Sequence, residues 1–256
     1  MQLQALILDV DGTIAETADL HRQAWNQAFA RLGIGWYWTR AIFSRLLPLP
    51  DGVARLRAFA MGADPGQLTG LLGGDNLRQL LAEKTTAFAQ VLRQGAARPR
   101  PGVIRLIEEA RNANLPIAAV STGSRIDFDL LLFHAIGYDA LGWFDCVRTR
   151  DDCPAQPDAT GPYQAVIQAM GLTPPRCLAI DDSAEGVNAA ASCGLQVLAT
   201  PGLYTSSHRF DSAALVLSDL GRPDAPFDVI RGDANGHQFT SLHALQDWLR
   251  IKVRAA

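Results

Sequence analysis

Short apolar runs ending in polar or acidic residues recur along the chain, and amphipathic stretches fill most of the gaps between them. The first run is LQALILDV, residues 3–10. It has the near-continuous hydrophobicity of a parallel strand buried on both faces. Similar runs follow at 116–122 (PIAAVST), 176–182 (RCLAIDD), 195–200 (LQVLAT) and 214–219 (ALVLSD), and FDCVRT, 144–149, is a further candidate strand. Between them the period changes to that of a helix. In PGVIRLIEEARNANL, Val103, Leu106, Ile107 and Ala110 follow i, i+3, i+4, i+7 spacing, with Pro101 near the start. SAEGVNAAASCGL reads as a helix that Ser183 caps and Gly194 stops. Strands alternating with helices predict an α/β fold, a Rossmann-like parallel sheet with helices on both faces.

Residues 17–98 break that alternation. They hold helical patterns, HRQAWNQAFARLG and LRQLLAEKTTAFAQVLRQG, and no clear strand. The expected organisation is therefore a core of residues 1–16 and 99–256, with an inserted helical cap over 17–98. GAARPRPG, 95–102, is the expected hinge, and GHQFTSLHALQDWLR predicts a final short strand and a terminal helix.

The 256 residues suffice for one large or two modest domains, and 48% hydrophobic content with mixed charge is that of an ordinary folded protein. A net charge of −3 gives no global field toward nucleic acid or anionic lipid. No apolar run approaches the length of about 20 residues that a membrane helix needs, and MQLQALILDVDGT lacks a basic leader. These features point to the cytoplasm. Cys146, Cys153, Cys177 and Cys193 have no paired metal spacing and read as free thiols, with Cys177 and Cys193 in apolar runs that suggest burial. Lys84 and Lys252 are the only lysines; every other cationic side chain except histidine is arginine.

In an open α/β sheet, ligands bind beyond the carboxyl ends of the strands. There this chain carries Asp9 and Asp11 (DVDGT), Ser121 (VSTGS) and Asp181–Asp182 (DDS). One acidic pair in a turn is weak evidence; a hydroxyl and a second acidic pair on separate strands make a phosphoryl-transfer site the leading reading. A receiver-like fold that binds metal without turnover is the alternative.

LDVDGT resembles the first motif of the haloacid dehalogenase superfamily, Ser121 its second and Asp181–Asp182 its acidic fourth. Within it the chain is similar to the CbbY-like, β-phosphoglucomutase-like subfamily through DGTIAETADLHRQAWNQAF, Gly35-Trp36-Tyr37-Trp38 and PGLYTSSHRF. The resemblance implies a Mg²⁺-dependent phosphatase for a small phosphorylated metabolite, a sugar phosphate or a bisphosphate such as xylulose 1,5-bisphosphate. Asp9 would be the nucleophile and Asp11 the acid and base. Mg²⁺ would be held by Asp9, the backbone carbonyl of Asp11, Asp182 and Asp181. Ser121 and Thr122 would hold a phosphoryl oxygen, with Arg55 and His21 facing substrate from the cap. Glu16 would contact substrate hydroxyls or cap the hinge.

The chain departs from the family at two places. The third-motif lysine is missing: its place falls near Ala155-Gln156-Pro157. Arg148, Arg150 or Gln156 would have to serve instead, unless the arginines are surface groups paired with Asp151 and Asp152. In the cap, LLPLPDGVARLR, 46–57, replaces a Thr/Gly-rich lysine-bearing segment. A degenerate paralogue that binds without useful turnover, and a phosphomutase, are the other readings these departures allow.

Overall fold

The computed structural model describes residues 3–49, 51–63, 70, 73–153 and 159–254. Within them, β1 (Ala5–Asp9), β2 (Ile117–Val120), β3 (Cys146–Arg148), β4 (Cys177–Asp181), β5 (Gln196–Ala199), β6 (Leu215–Leu217) and β7 (Val229–Arg231) form one sheet. The order is β3-β2-β1-β4-β5-β6-β7. All pairings are parallel except β6 with β7. β1 shows why the sequence chooses this form. Its residues up to Leu8 are all buried, with Leu6 and Leu8 in one hydrophobic cluster and Ala5 and Ile7 in the other. Alternate side chains thus feed two layers, and burying one Leu or Ile contributes about 1.5–3 kcal/mol.

Nine named helices follow: α1 (Ala18–Arg31), α2 (Arg40–Leu46), α3 (Gly52–Ala63), α4 (Gly74–Arg93), α5 (Val103–Asn112), α6 (Arg125–Ala135), α7 (Thr160–Met170), α8 (Ala184–Ser192) and α9 (Leu242–Arg254). α5, α6 and α9 cover one face of the sheet, and α7 and α8 the other. The apolar stripe on α5 is the one the spacing predicts, Val103, Leu106, Ile107 and Ala110. Ser183 caps α8 by accepting from Gly186 N–H, and Gly194 follows it at φ +82°.

α1 to α4 form a helical insert between β1 and β2. Its own core is aromatic: Trp25, Phe29, Trp36, Trp38 and Phe43 pack together, in stacked, tilted and edge-on pairs with centroids 5.2–5.9 Å apart. Asn26 locks Trp38 by accepting from its N–H at 2.7 Å and donating to its carbonyl at 2.9 Å. The insert is also continuous with the sheet layer, because Leu20, Ala24, Phe88, Val91 and Leu92 join the cluster built on Leu6 and Leu8.

Two expectations need correction. No strand forms in 236–241; the last strand is Val229–Arg231, upstream of the stretch expected to hold it. Its three residues are exposed at the sheet edge and antiparallel, so they carry none of the apolar run that marks the buried strands. Cys193 is half-buried where Cys146, Cys153 and Cys177 are buried, and none of the four is in a disulfide. No described helix is long and apolar enough to cross a membrane.

Candidate active site

The strand order reverses between β1 and β4, which opens a crevice at their carboxyl ends. Leu8 pairs with Ile180, so Asp9 and Asp181 project from the same level. Asp9, Asp181 and Asp182 each offer an oxygen within 4.8 Å of the others, the one such acidic, His or Cys group among the described residues. Two glycines let the backbone close round them. A Cβ on Gly12, whose φ is +95°, would meet the Asp182 carboxyl carbon at 2.4 Å, and one on Gly186 would meet Asp181 Oδ2 at 2.0 Å.

Each carboxylate has different support. Asp181 Oδ1 accepts from Ser183 N–H and Oγ at 2.9 and 3.0 Å, and its Oδ2 accepts from Tyr163 Oη at 2.7 Å. Asp182 Oδ2 accepts from Thr205 Oγ1 at 2.9 Å. Asp9 Oδ2 is buried with no hydrogen-bond partner. Burial first, then repulsion from Asp181, Asp182 and Asp11, pushes the Asp9 carboxyl well above its ordinary range. Burial also raises Asp181 and, together with the Asp181 charge, raises Asp182. An orphaned buried oxygen and three crowded carboxylates make an all-oxygen donor set that fits a divalent cation.

Asp11 is set differently. Burial alone would raise its pKa, but hydrogen bonds from His21, Thr17 and Ser121 hold it well below the ordinary range. Thr17 Oγ1 and His21 Nε2 reach Oδ1 at 2.7 and 3.2 Å, and Ser121 Oγ reaches Oδ2 at 3.1 Å. Ser121 Oγ in turn accepts from Gly123 N–H at 2.9 Å. His21 stacks on Phe88 with ring centroids 4.1 Å apart. Thus Asp9, Asp11, Ser121, His21, Asp181 and Asp182 converge. Thr122 lies in the same loop, half-buried.

The cations fall elsewhere. Arg148 Nη1 donates to the carbonyl of Val147 at 2.9 Å. The Arg150 side chain has no hydrogen bond or ion pair with a described residue, while its backbone N–H donates to Gly123 O at 3.2 Å. Asp151 and Asp152 do not pair with these arginines; they accept from Arg125 N–H and from the N–H and hydroxyl of Thr149. Arg55 Nη2 donates to Leu47 O and Leu49 O at 3.0 and 3.1 Å, and its buried Nε has no partner. Burial lowers the Arg55 pKa; Asp11 and Asp51 oppose that and Arg150 adds to it, so both arginines lie within electrostatic reach of one another. Lys84 serves as an ion-pair partner of Asp127. Gln156 lies outside the described residues, as does Pro50. Glu16 stands at the hinge, with its Oε1 3.6 Å from Arg100 Nε.

Thr17, Tyr163, Thr205 and Arg100 support the carboxylates and the turn beside them, and no sequence pattern marks them. Thr205 lies within PGLYTSSHRF, but no local signal ties its hydroxyl, or that of Tyr163, to a carboxylate more than a dozen residues away. Arg100 sat in a Pro-rich segment that reads as linker.

Residues 3–194 match the family of haloacid dehalogenase-like hydrolases. Protein CbbY of the Cupriavidus necator plasmid is 36% identical over 247 residues, 96% of each chain. The chain is also similar to CbbY of Rhodobacter sphaeroides, whose aspartate-to-asparagine variant has been solved in complex with xylulose 1,5-bisphosphate. That likeness has TM-score 0.78 and 31% identity over 85% of this chain and 95% of that one. β-Phosphoglucomutase of Clostridium difficile shares the fold, with TM-score 0.70 and 16% identity over 99% and 100% of the two chains.

Proposed function

The chain belongs to the haloacid dehalogenase-like hydrolases, and we propose that it is a Mg²⁺-dependent phosphatase of a small phosphorylated metabolite. The observation that carries the reading is the buried, partnerless Asp9 Oδ2 beside Asp181 and Asp182, with a separately supported Asp11 two residues away. An oxygen of Asp9 attacks phosphorus, the phosphoryl group passes to Asp9, and the bond to the leaving alcohol breaks. Asp11 supplies the proton that the alcohol takes, then removes one from the water that hydrolyses the aspartyl-phosphate. In the substrate-free site Asp11 is held ionised, the form needed for the second half. A dianionic phosphate beside it raises its proton affinity for the first. Ser121 Oγ and Gly123 N–H, in the loop beside Asp11, would be donors for a phosphoryl oxygen. Asp9 and Asp182, with Asp181 and the Asp11 carbonyl, would hold Mg²⁺, which offsets the charge of the cluster and of the transferring group.

Xylulose 1,5-bisphosphate is the first substrate to try, because this chain covers 95% of the related protein solved with it. In the absence of the third-motif lysine, Arg150 is the better placed of the two candidate arginines. Its backbone is bonded to the Ser121–Gly123 loop, whereas Arg148 turns back on Val147. A second reading, binding without useful turnover, is favoured by one observation. Among the described residues, no lysine or arginine forms an ion pair with Asp9, Asp181 or Asp182. Four cysteines without a disulfide support a reducing compartment such as the cytoplasm.

Phosphate release from xylulose 1,5-bisphosphate, other sugar phosphates and an aryl phosphate, with and without Mg²⁺, tests the choice. Mg²⁺-dependent release that vanishes in Asp9→Asn is expected. Release no greater than that of the variant on every compound would establish the binding role instead.

A further inference from the structure

Arg100 lies in the linker that returns the chain from the insert to the sheet, and it is buried. Its guanidinium donates to four backbone carbonyls. Nη1 takes Gly12 and Thr200; Nη2 takes Pro201 at 2.9 Å and Ser218 at 2.8 Å. Its backbone N–H donates to Ile14 O at 2.8 Å. One side chain therefore joins the Asp11–Gly12–Thr13 turn to the segments that follow β5 and β6.

Both walls flanking Asp182 end at this group. On one side is Gly12, whose backbone abuts the Asp182 carboxyl and whose carbonyl Arg100 holds. On the other is Pro201, held by Nη2; the next residue, Gly202, donates its N–H to Thr205 Oγ1 at 2.8 Å, and that hydroxyl donates to Asp182 at 2.9 Å. Thr200 N–H donates to the backbone carbonyl of Asp181 at 2.9 Å, so the main chain at the end of β4 is reached as well. Toward the insert, Arg100 Nε faces Glu16, whose carboxylate packs on Gly202 with no room for a Cβ. A planar fork with five N–H donors can serve these carbonyls at once. An ammonium with three donors on a flexible stem cannot.

We infer that Arg100 is a positioning residue for the divalent-cation site, acting through the Gly12 carbonyl and the Pro201–Thr205 segment to fix Asp182, and that it links this site to the insert through Glu16. The inference rests on the proposed cation at Asp9, Asp181 and Asp182. It assigns to the hinge a task beyond connecting two parts of the chain: it sets the geometry in which the cation is bound.

The test is a Mg²⁺ titration followed by thermal unfolding, on the unmodified full chain, Arg100→Lys and Arg100→Gln, with Asp182→Asn as the control lacking a ligand. It needs no turnover. The expected result is cooperative unfolding of both Arg100 variants, with the Mg²⁺ midpoint raised roughly ten-fold, the effect of a ligand group displaced by loss of its support. Arg100→Lys, which keeps the charge, should fail to restore it. An unchanged midpoint in folded variants would overturn the inference. So would loss of cooperative unfolding in both, which would make Arg100 a residue of the fold alone. Loss of charge without loss of position would tighten Mg²⁺ binding, and that too would overturn it. An unmodified chain that shows no Mg²⁺ shift would remove the cation and the phosphatase reading with it, a result distinct from the others.

Discussion

Lys84 of α4 donates to Asp127 Oδ2 of α6 at 2.7 Å; Lys84 is buried and the Asp127 side chain is 14% exposed. Asp127 Oδ1 has no partner, so the lysine is the principal compensation for this carboxylate. Breaking a buried pair from one side typically costs about 3–5 kcal/mol, because a charge is left behind. Lys84→Met is expected to lose stability in that range in urea unfolding. Lys84→Met combined with Asp127→Leu should recover most of the loss. A double variant as unstable as the single one would contradict the account.

Asp9→Asn is expected to abolish phosphate release while leaving metal-free stability unchanged or higher. It removes one of three crowded buried carboxylates and leaves no hydrogen bond to Asp9 Oδ2 broken. Melting curves in EDTA, paired with release assays, check both halves. A large drop in melting temperature would show that the Asp9 charge stabilises the fold.

The pH dependence has a defined sign. Asp9, Asp181 and Asp182 have raised pKa values, so the folded chain keeps protons that the unfolded chain releases. Their contribution is full below the unfolded carboxylate value of about 4 and is lost as pH rises through the folded values. Asp11 has the opposite sign: its depressed pKa contributes stability above about 4 that is lost as pH falls. In EDTA, melting temperature should therefore fall from about pH 4 upward, and saturating Mg²⁺ should remove the decline. A rise across that window in EDTA would refute the assignment.

Tyr163→Phe removes the hydroxyl that donates to Asp181 at 2.7 Å. A hydrogen bond to a charged group contributes about 1.5–3 kcal/mol, and the Mg²⁺-loaded protein, in which Asp181 is ionised, should lose that much. In EDTA the loss should be smaller, since a protonated Asp181 needs the donor less. Equal losses in both conditions would place the role of Tyr163 in packing alone.

Arg150→Ala is expected to raise KM about ten-fold, the effect of losing one charged hydrogen bond of about 1.4 kcal/mol or more. Arg148→Ala should change it by less than about two-fold, since that guanidinium is turned to Val147 O. Steady-state kinetics on the best substrate decides, and the reverse ranking would move the anchoring role to Arg148.

The parallel strands were legible because each is a run of apolar residues confined to one segment, as in β1 and β4. Asp9, Asp11, Ser121, Asp181 and Asp182 were legible because strand ends in such a sheet converge on one crevice. β7 was not, since an exposed edge strand has no buried face to leave a pattern. The supports of the carboxylates were equally hidden. Tyr163 meets Asp181, and Arg100 meets Gly12 and Ser218, through contacts that only the closed sheet creates. The expected pairing of Arg148 and Arg150 with Asp151 and Asp152 failed because those carboxylates are occupied by backbone and hydroxyl donors.

The two crossings between sheet and insert lie side by side: Ala15 bridges to Pro99, and Arg100 N–H meets Ile14 O. The chain enters and leaves the insert through this one narrow neck, while the helices between are tied to the sheet layer by Phe88, Leu92 and the Lys84–Asp127 pair. An insert grafted between Ala15 and Pro99 would have to re-create the Thr17 and His21 hydrogen bonds to Asp11 and the packing of Phe88 and Leu92. The supports of Asp181 and Asp182 come instead from Tyr163, Ser183 and Thr205 of the sheet side. The acidic cluster and the support of Asp11 thus come from opposite sides of one seam, and that seam is a pair of adjacent backbones.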